Sequence, residues 1–250
     1  MIKIYQSGLK IFKFDDEEFR MKNGHLCYIG TETDGSKIKI PEGIIDCSWM
    51  FEGCSSLVNP PIIPESVTDC GAMFCGCSSL VEAPAIPEGV TDCDAMFAGC
   101  SSLLKAPVIP ESVTDCGCMF DGCGSLVQAP IVPKNVTDCV FMFSNCSSLK
   151  KAPKILTGMT DCSYMFYDCS SLIEAPAIPK GVTNCRGMFW GCSSLTEAPE
   201  IPAGVTNCDH MFCDCGSLTK APTIPKSVAC RCDMFKGCTK LATETNNNGK

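Results

Sequence analysis

The stretch Thr91-Asp92-Cys93-Asp94-Ala95-Met96-Phe97-Ala98-Gly99-Cys100-Ser101-Ser102-Leu103 contains a pair that returns along the whole chain. Met stands at 50, 73, 96, 119, 142, 165, 188, 211 and 234, each time followed by Phe. The step is 23 residues throughout, without insertion or deletion. A fixed period of this length predicts stacked coils, because one unit cannot bury its own apolar face and its neighbours must do so.

Outward from Met-Phe, one coil reads Met-Phe-x-Gly-Cys-Ser-Ser-Leu-x-x-Ala-Pro-x-Ile-Pro-x-x-Val-Thr-Asp-Cys-x-x. Met, Phe, the two Cys, Leu, Ala, Ile and Val are the expected interior. Residues 80–87 are the expected strand face. Its two prolines cannot donate to a ladder, so the strands there should be short or irregular. Residues 92–99 are expected to form a helical turn, with Asp92 as its cap and Gly99 as its stop.

Three segments follow. Residues 1–46 read as an N-terminal β cap that merges into a half coil, because Ile40-Pro41-Glu42-Gly43-Ile44 keeps the register of Ile86-Pro87-Glu88-Gly89-Val90. Ile2–Tyr5, Lys10–Phe14, His25–Ile29 and Lys37–Ile40 alternate or cluster apolar residues as strands do. Asp15-Asp16-Glu17-Glu18 reads as a solvated acidic turn. Residues 47–241 are the solenoid. Residues 242–250 are a polar tail expected to be disordered. No closing cap is legible after Leu241, so end-to-end self-association is an expectation as well.

The blocks Gly-Cys-Ser-Ser-Leu, Ile-Pro-x-x-Val-Thr and Met-Phe, with Val90-Thr91-Asp92-Cys93 leading into Met96-Phe97, resemble the leucine-rich repeats of BspA-like bacterial surface proteins, in a Met-Phe variant. Gly24-His25-Leu26-Cys27-Tyr28-Ile29-Gly30 looks like the cap that precedes such arrays. The resemblance implies a right-handed leucine-rich-repeat solenoid with short parallel strands and helical turns. It also implies a role in adhesion or host interaction, at the cell surface or after secretion, and no catalysis. Ala-Pro-x-Ile-Pro departs from the family's usual strand core.

The formal charge of −8 argues against nucleic acid or an anionic membrane as the general partner. There is no run of about 18 apolar residues, so no membrane insertion is expected. Met1-Ile2-Lys3-Ile4-Tyr5-Gln6 lacks the apolar stretch of a signal peptide, which favours a cytoplasmic location and an intracellular interaction scaffold as the alternative. Of the 23 cysteines, eight lie three residues before Met, from Cys47 to Cys208, and nine lie four residues after it, from Cys54 to Cys238. The expectation is two ladders of small buried thiols. Inter-coil bridges would also be within reach at a stacking distance of about 4.8 Å.

Catalysis finds no support: His25 and His210 are the only histidines and stand far apart in sequence. No cofactor is implied. A thiol-rich metal binder is a weaker alternative, centred on Cys213, Cys215, Cys230 and Cys232. The acidic column Asp46, Asp69, Asp92, Asp115, Asp138 and Asp161 passes into Asn184 and Asn207, which suits turn capping better than calcium. The threonine column, Thr68 to Thr206, reads as turn hydrogen bonding. A protein or glycan partner is expected where the repeat is broken. Phe141, Tyr164, Tyr167 and Trp190 flank Met-Phe, and Lys150, Lys151 and Lys154 make one coil basic. A further strip joins Val58, Val81, Leu104 and Val127 to Ile62, Ala85, Val108 and Ile131. It would be a binding surface if it faces outward and core if it faces inward.

Overall fold

Each coil lends its backbone to the next. Phe51 N donates to Met73 O at 2.8 Å, Phe74 N to Met96 O at 2.9 Å, and Phe97 N to Met119 O at 2.9 Å, and so on along the array. The computed structural model describes residues 3–7, 10–14, 18–155 and 158–241. Asp15 to Glu17 of the acidic turn, Leu156 and the tail 242–250 lie outside the described residues.

The stacked interior is the one the period predicts. Met, Phe, Leu and Val columns are buried, and Ile sits just beneath the surface. The Phe rings stack coil on coil, with centroids 5.4–5.8 Å apart and planes within 10° from Phe51 to Phe143. The alanines, placed in the interior by the sequence reading, are only half-buried and pack on the core from its edge. The flanking proline carries no N–H, so the chain there cannot be drawn into the ladder.

The expected helical turn over 92–99 is not a helix. Two residues per coil take left-handed φ: the one before Met (Ala72 +50°, Ala95 +52°, Cys118 +50°) and the third after it (Gly76 +74°, Gly99 +73°, Gly122 +73°). A left-handed residue cannot propagate a right-handed helix. The amides instead turn outward to the next coil's carbonyls. Gly122 is needed for a second reason: a Cβ there would sit 3.4 Å from the Cα of Gly99 in the coil below. The strands are equally reduced, to single parallel bridges between coils.

At the N-terminus β1 (Lys3–Ser7) pairs antiparallel with β2 (Lys10–Phe14), and β3 (Phe19–Lys22) with β4 (His25–Tyr28). Phe19 and Tyr28 meet edge to face at 5.4 Å, and both rest on Phe51. Tyr28 N donates to Met50 O at 2.7 Å. The strand expected at 37–40 does not form. Gly35–Lys37 is a single 3-10 turn capped by Asp34. A Cβ on Gly35 would run into the backbone of Asn59, Pro60 and Pro61. Ile38 and Ile40 instead turn into the core.

One coil is irregular. Among the described residues the bridge ladder through the Asp column has no Asp138–Asp161 rung, although the rungs on either side are present. Met159 replaces the valine there, and Cys139 Sγ turns to Met159 Sδ at 3.3 Å and Asp161 O at 3.4 Å.

Candidate functional site

The two thiol ladders are buried, and their chemistry follows from that. In the second column each thiol from Cys77 onward donates to the Phe carbonyl of the coil before it, as from Cys77 to Phe51 at 3.1 Å and from Cys169 to Phe143 at 3.0 Å. A thiolate could not make that bond. Burial pushes the Cys70 thiol up to about 12 and Cys238 up to about 11, and Cys93, Cys146 and Cys192 well above their ordinary value. All 23 are free thiols. The ladders are structural, and Cys230 and Cys232 are the exposed exceptions.

The proposed metal cluster does not assemble. Cys215 Sγ bonds Phe189 O at 3.1 Å and Cys213 Sγ lies 3.5 Å from Asp214 Oδ2, while Cys230 and Cys232 face solvent. Among the described residues no three His, Cys, Asp or Glu side chains are grouped to hold a metal.

The acidic column caps turns. Asp69 Oδ1 accepts from Gly71 N at 2.9 Å, Asp115 from Gly117 N at 2.9 Å, and Asn184 from Arg186 N at 3.1 Å. Asp69 and Asp115 are pushed above the usual carboxylate range, first by burial and then by the carboxylates in the coils on either side. Asn184 relieves this, because its Nδ2 donates to Asp161 Oδ2 at 2.8 Å. Asp115→Asn should therefore stabilise the fold by about 1 kcal/mol through the equivalent bond to Asp92. Solvent screens much of the carboxylate repulsion at these half-exposed sites, so the bond supplies most of the gain. A thermal midpoint that fails to rise would refute this account. The threonines do as expected: Thr91 Oγ1 donates to Thr68 O at 3.2 Å, and Thr114 Oγ1 to Thr91 O at 3.3 Å.

Sequence spacing gives no hint of one polar contact. His25 Nδ1 lies 2.9 Å from Ser48 Oγ. The buried Ser48 hydroxyl donates to Asp46 Oδ1, so its proton is directed to the carboxylate and not to the imidazole.

The aromatic residues come together as a row. Phe141 stacks on Tyr164 (4.6 Å, 4°), Tyr164 meets Tyr167 edge to face (6.1 Å), and Tyr167 meets Trp190 likewise (5.5 Å). His210, which the sequence reading left out, extends the row by stacking on Trp190 at 5.0 Å. Its membership was legible, because it shares the position before Met with Phe141 and Tyr164. Trp190 Nε1 donates to Asp214 Oδ2 at 3.0 Å, and the four aromatic rings are half-buried. Phe141, Tyr164 and His210 are all left-handed (φ +57°, +56°, +57°). Among the described residues no contact joins Lys150, Lys151 or Lys154 to these rings. The lysines are exposed on the proline-rich side, where Lys151 bridges to Gln128 and Glu174.

The strip beside those lysines faces outward. Ile62, Val108 and Ile131 are 85–86% exposed, Leu104 55%, Val127 50% and Val58 40%. Val81 is half-buried and Ala85 exposed. Shallow grooves of about 530 and 700 Å³ lie between neighbouring Ala-Pro-x-Ile-Pro segments on this side.

A stack of identical coils with a leucine ladder, a phenylalanine ladder and rungs of single bridges is a leucine-rich-repeat fold. The chain belongs to the BspA-type leucine-rich-repeat family, whose profile it matches in six copies over residues 32–127 and 118–242. A leucine-rich repeat protein from Bacteroides ovatus, known from a crystal structure, is similar at 18% identity over 96% of this chain and 79% of that one, with a TM-score of 0.45. No curated protein matches the chain. Among the described residues no helix is long and apolar enough to cross a membrane.

Proposed function

We propose that this protein is a non-enzymatic scaffold for adhesion, binding a protein partner through the row Phe141, Tyr164, Tyr167 and Trp190. The gathering of these four rings across three coils carries the reading, because the equivalent positions of most other coils hold small, polar or charged residues, Trp49 and His210 apart, and the core does not need them. Aromatic residues, Tyr and Trp above all, are the ones enriched at protein interfaces. A sugar would stack on an open ring face. Here Phe141 and Tyr164 cover each other, as do Trp190 and His210, which favours a protein over a glycan. Residues 19–28 close the N-terminal end in this reading, since Phe19 and Tyr28 cover Phe51 as each coil covers the next.

The test compares proteins crosslinked to the wild type and to the double variant Tyr167→Ser, Trp190→Ser. A specific partner captured by the wild type should be lost or weakened at least about tenfold in the variant, a change of about 1.4 kcal/mol. The thermal midpoint should fall only slightly. Equal capture by both chains sinks the row as the site. Specific retention on a glycan surface, lost in the same variant, would replace the protein with a sugar.

A further inference from the structure

The exposed strip and its flanking ladder carry a second, independent message. One line of residues on the proline-rich side begins Asp34, Asn59, Glu82, Lys105, Gln128, Lys151, one per coil, and continues through Glu174, Glu197 and Lys220. Parallel bridges join Asp34 to Asn59 and link Glu82 through Lys105 and Gln128 to Lys151, and Val81 N bonds Val58 O at 3.2 Å between the two runs. The order is acidic, neutral, acidic, basic, neutral, basic. Over these first six rungs the order read in reverse is its own complement, and the coils of Glu174, Glu197 and Lys220 lie beyond the paired stretch.

We infer that this face binds a second copy of the chain, side by side and end for end, about a two-fold axis between the coils of Glu82 and Lys105. In that register Asp34 opposes the partner copy's lysine at 151, Asn59 opposes glutamine at 128, and Glu82 opposes lysine at 105. Each pairing occurs twice, as an isologous interface requires. Ile62 then faces the isoleucine at 131, and Ala85 the valine at 108, so apolar and charged columns each meet their complement side by side. The basic coil of Lys150, Lys151 and Lys154 lands over the turn of Glu32, Asp34 and Lys37, where two carboxylates outnumber the one lysine. Among the described residues Lys37 is the one cation beside those two carboxylates, at 3.5 and 3.8 Å.

Alternatives are penalised. A slip by one coil sets Glu82 against Glu82 in one direction and Lys105 against Lys105 in the other. A parallel arrangement opposes every charge with itself. Such repulsion selects one register as effectively as attraction does. Among the described residues neither Glu82, Lys105 nor Lys151 has an ion-pair partner within 4.0 Å, so all three are open to an outside charge. Ile62, Val108 and Ile131 are each 85–86% exposed, Leu104 55% and Val127 50%, a run of exposed apolar side chains of the kind that marks an interaction surface.

This association does not depend on the aromatic row. Sedimentation velocity on the full chain under reductant, near physiological salt and at about 50 μM, should show a dimer. Glu82→Lys and Lys105→Glu should each weaken association at least about tenfold, since each places like charges together twice. An equimolar mixture of the two variants should recover the dimer, because every opposed pair is then Lys with Glu. Val108→Lys, at a position 86% exposed, should give a folded monomer. A monomeric wild type, or single variants that still dimerise, or a mixture without recovery, overturns the inference. None of these results touches binding at Tyr167 and Trp190.

Discussion

Raising the pH from 8 to about 10.5 under reductant is expected to unfold the array in one steep transition. The reason is the number of buried thiols. A cysteine in the unfolded chain titrates near 8.5. In the fold, burial holds Cys238 at about 11, Cys70 and Cys208 at about 12, and Cys93, Cys146 and Cys192 well above the ordinary value. Each pKa is raised, so each thiol's contribution is fully present below the unfolded pKa. It is lost as pH rises towards the folded one, because the unfolded state then releases protons that the folded state must keep. One such group changes stability by about 1.4 kcal/mol per pH unit across that window. With roughly ten of them acting together the slope is on the order of 10 kcal/mol per unit, which exceeds what a domain of ordinary stability of about 5–15 kcal/mol can withstand. Circular dichroism against pH would follow the fold, and thiolate absorbance should appear in the same step rather than earlier. A native signal that survives past pH 11, or thiolates that form before unfolding, would contradict the burial account. At pH 7.5 a thiol reagent should modify Cys230 and Cys232 quickly and the ladder thiols only after denaturation.

The second large effect separates two phenylalanines that stand two residues apart. Phe143 is fully buried and stacked between Phe120 and Phe166 at 5.6 and 5.7 Å. Phe143→Ala leaves a void within the ladder and should cost about 3–5 kcal/mol. For a chain of this length that corresponds to a fall in thermal midpoint of about 10 °C. The coils are coupled only to their neighbours, so the transition should also broaden or split as the two halves lose their contact. Phe141 is half-buried, stacked on Tyr164, and left-handed at φ +57°. Phe141→Gly gives up a ring pair of about 0.5–1.5 kcal/mol and adds about 0.5–1 kcal/mol of chain entropy. It relieves about 1–2 kcal/mol of left-handed strain. The terms nearly cancel, so stability should stay within about 1 kcal/mol of wild type. Equal losses in both variants would show that the aromatic row is part of the core. The expected contrast instead fits a row retained at a cost in backbone strain, as functional residues often are.

Much of this follows from the period. Met96, Phe97, Cys100 and Leu103 return every 23 residues, and equivalent residues in stacked coils must touch. The buried columns, the family and the structural role of the thiols were therefore legible before any coordinate. So was the turn-capping role of Asp92, because an Asn can replace it in later coils. The local sequence does not separate a helical turn from a tight one, because Asp, Met and Phe at those spacings fit both. What excludes the helix is the left-handed φ at Ala95 and Gly99, and Ala95 has no local preference for it. Tertiary stacking imposes it, since only then do the amides of Ala95 and Phe97 reach Gly117 and Met119.

The sequence by itself determined that the chain is a stack, which residues line its interior, and where the repeat is broken. Only the tertiary structure decided which way the broken positions face. The period fixes the distance between Val58, Val81 and Leu104 but not their direction, which depends on where two left-handed residues and two prolines turn each coil. That turning put Ile62, Val108 and Ile131 into solvent beside Lys151, gathered Phe141, Tyr164, Tyr167 and Trp190 apart from the lysines, and added His210 to them.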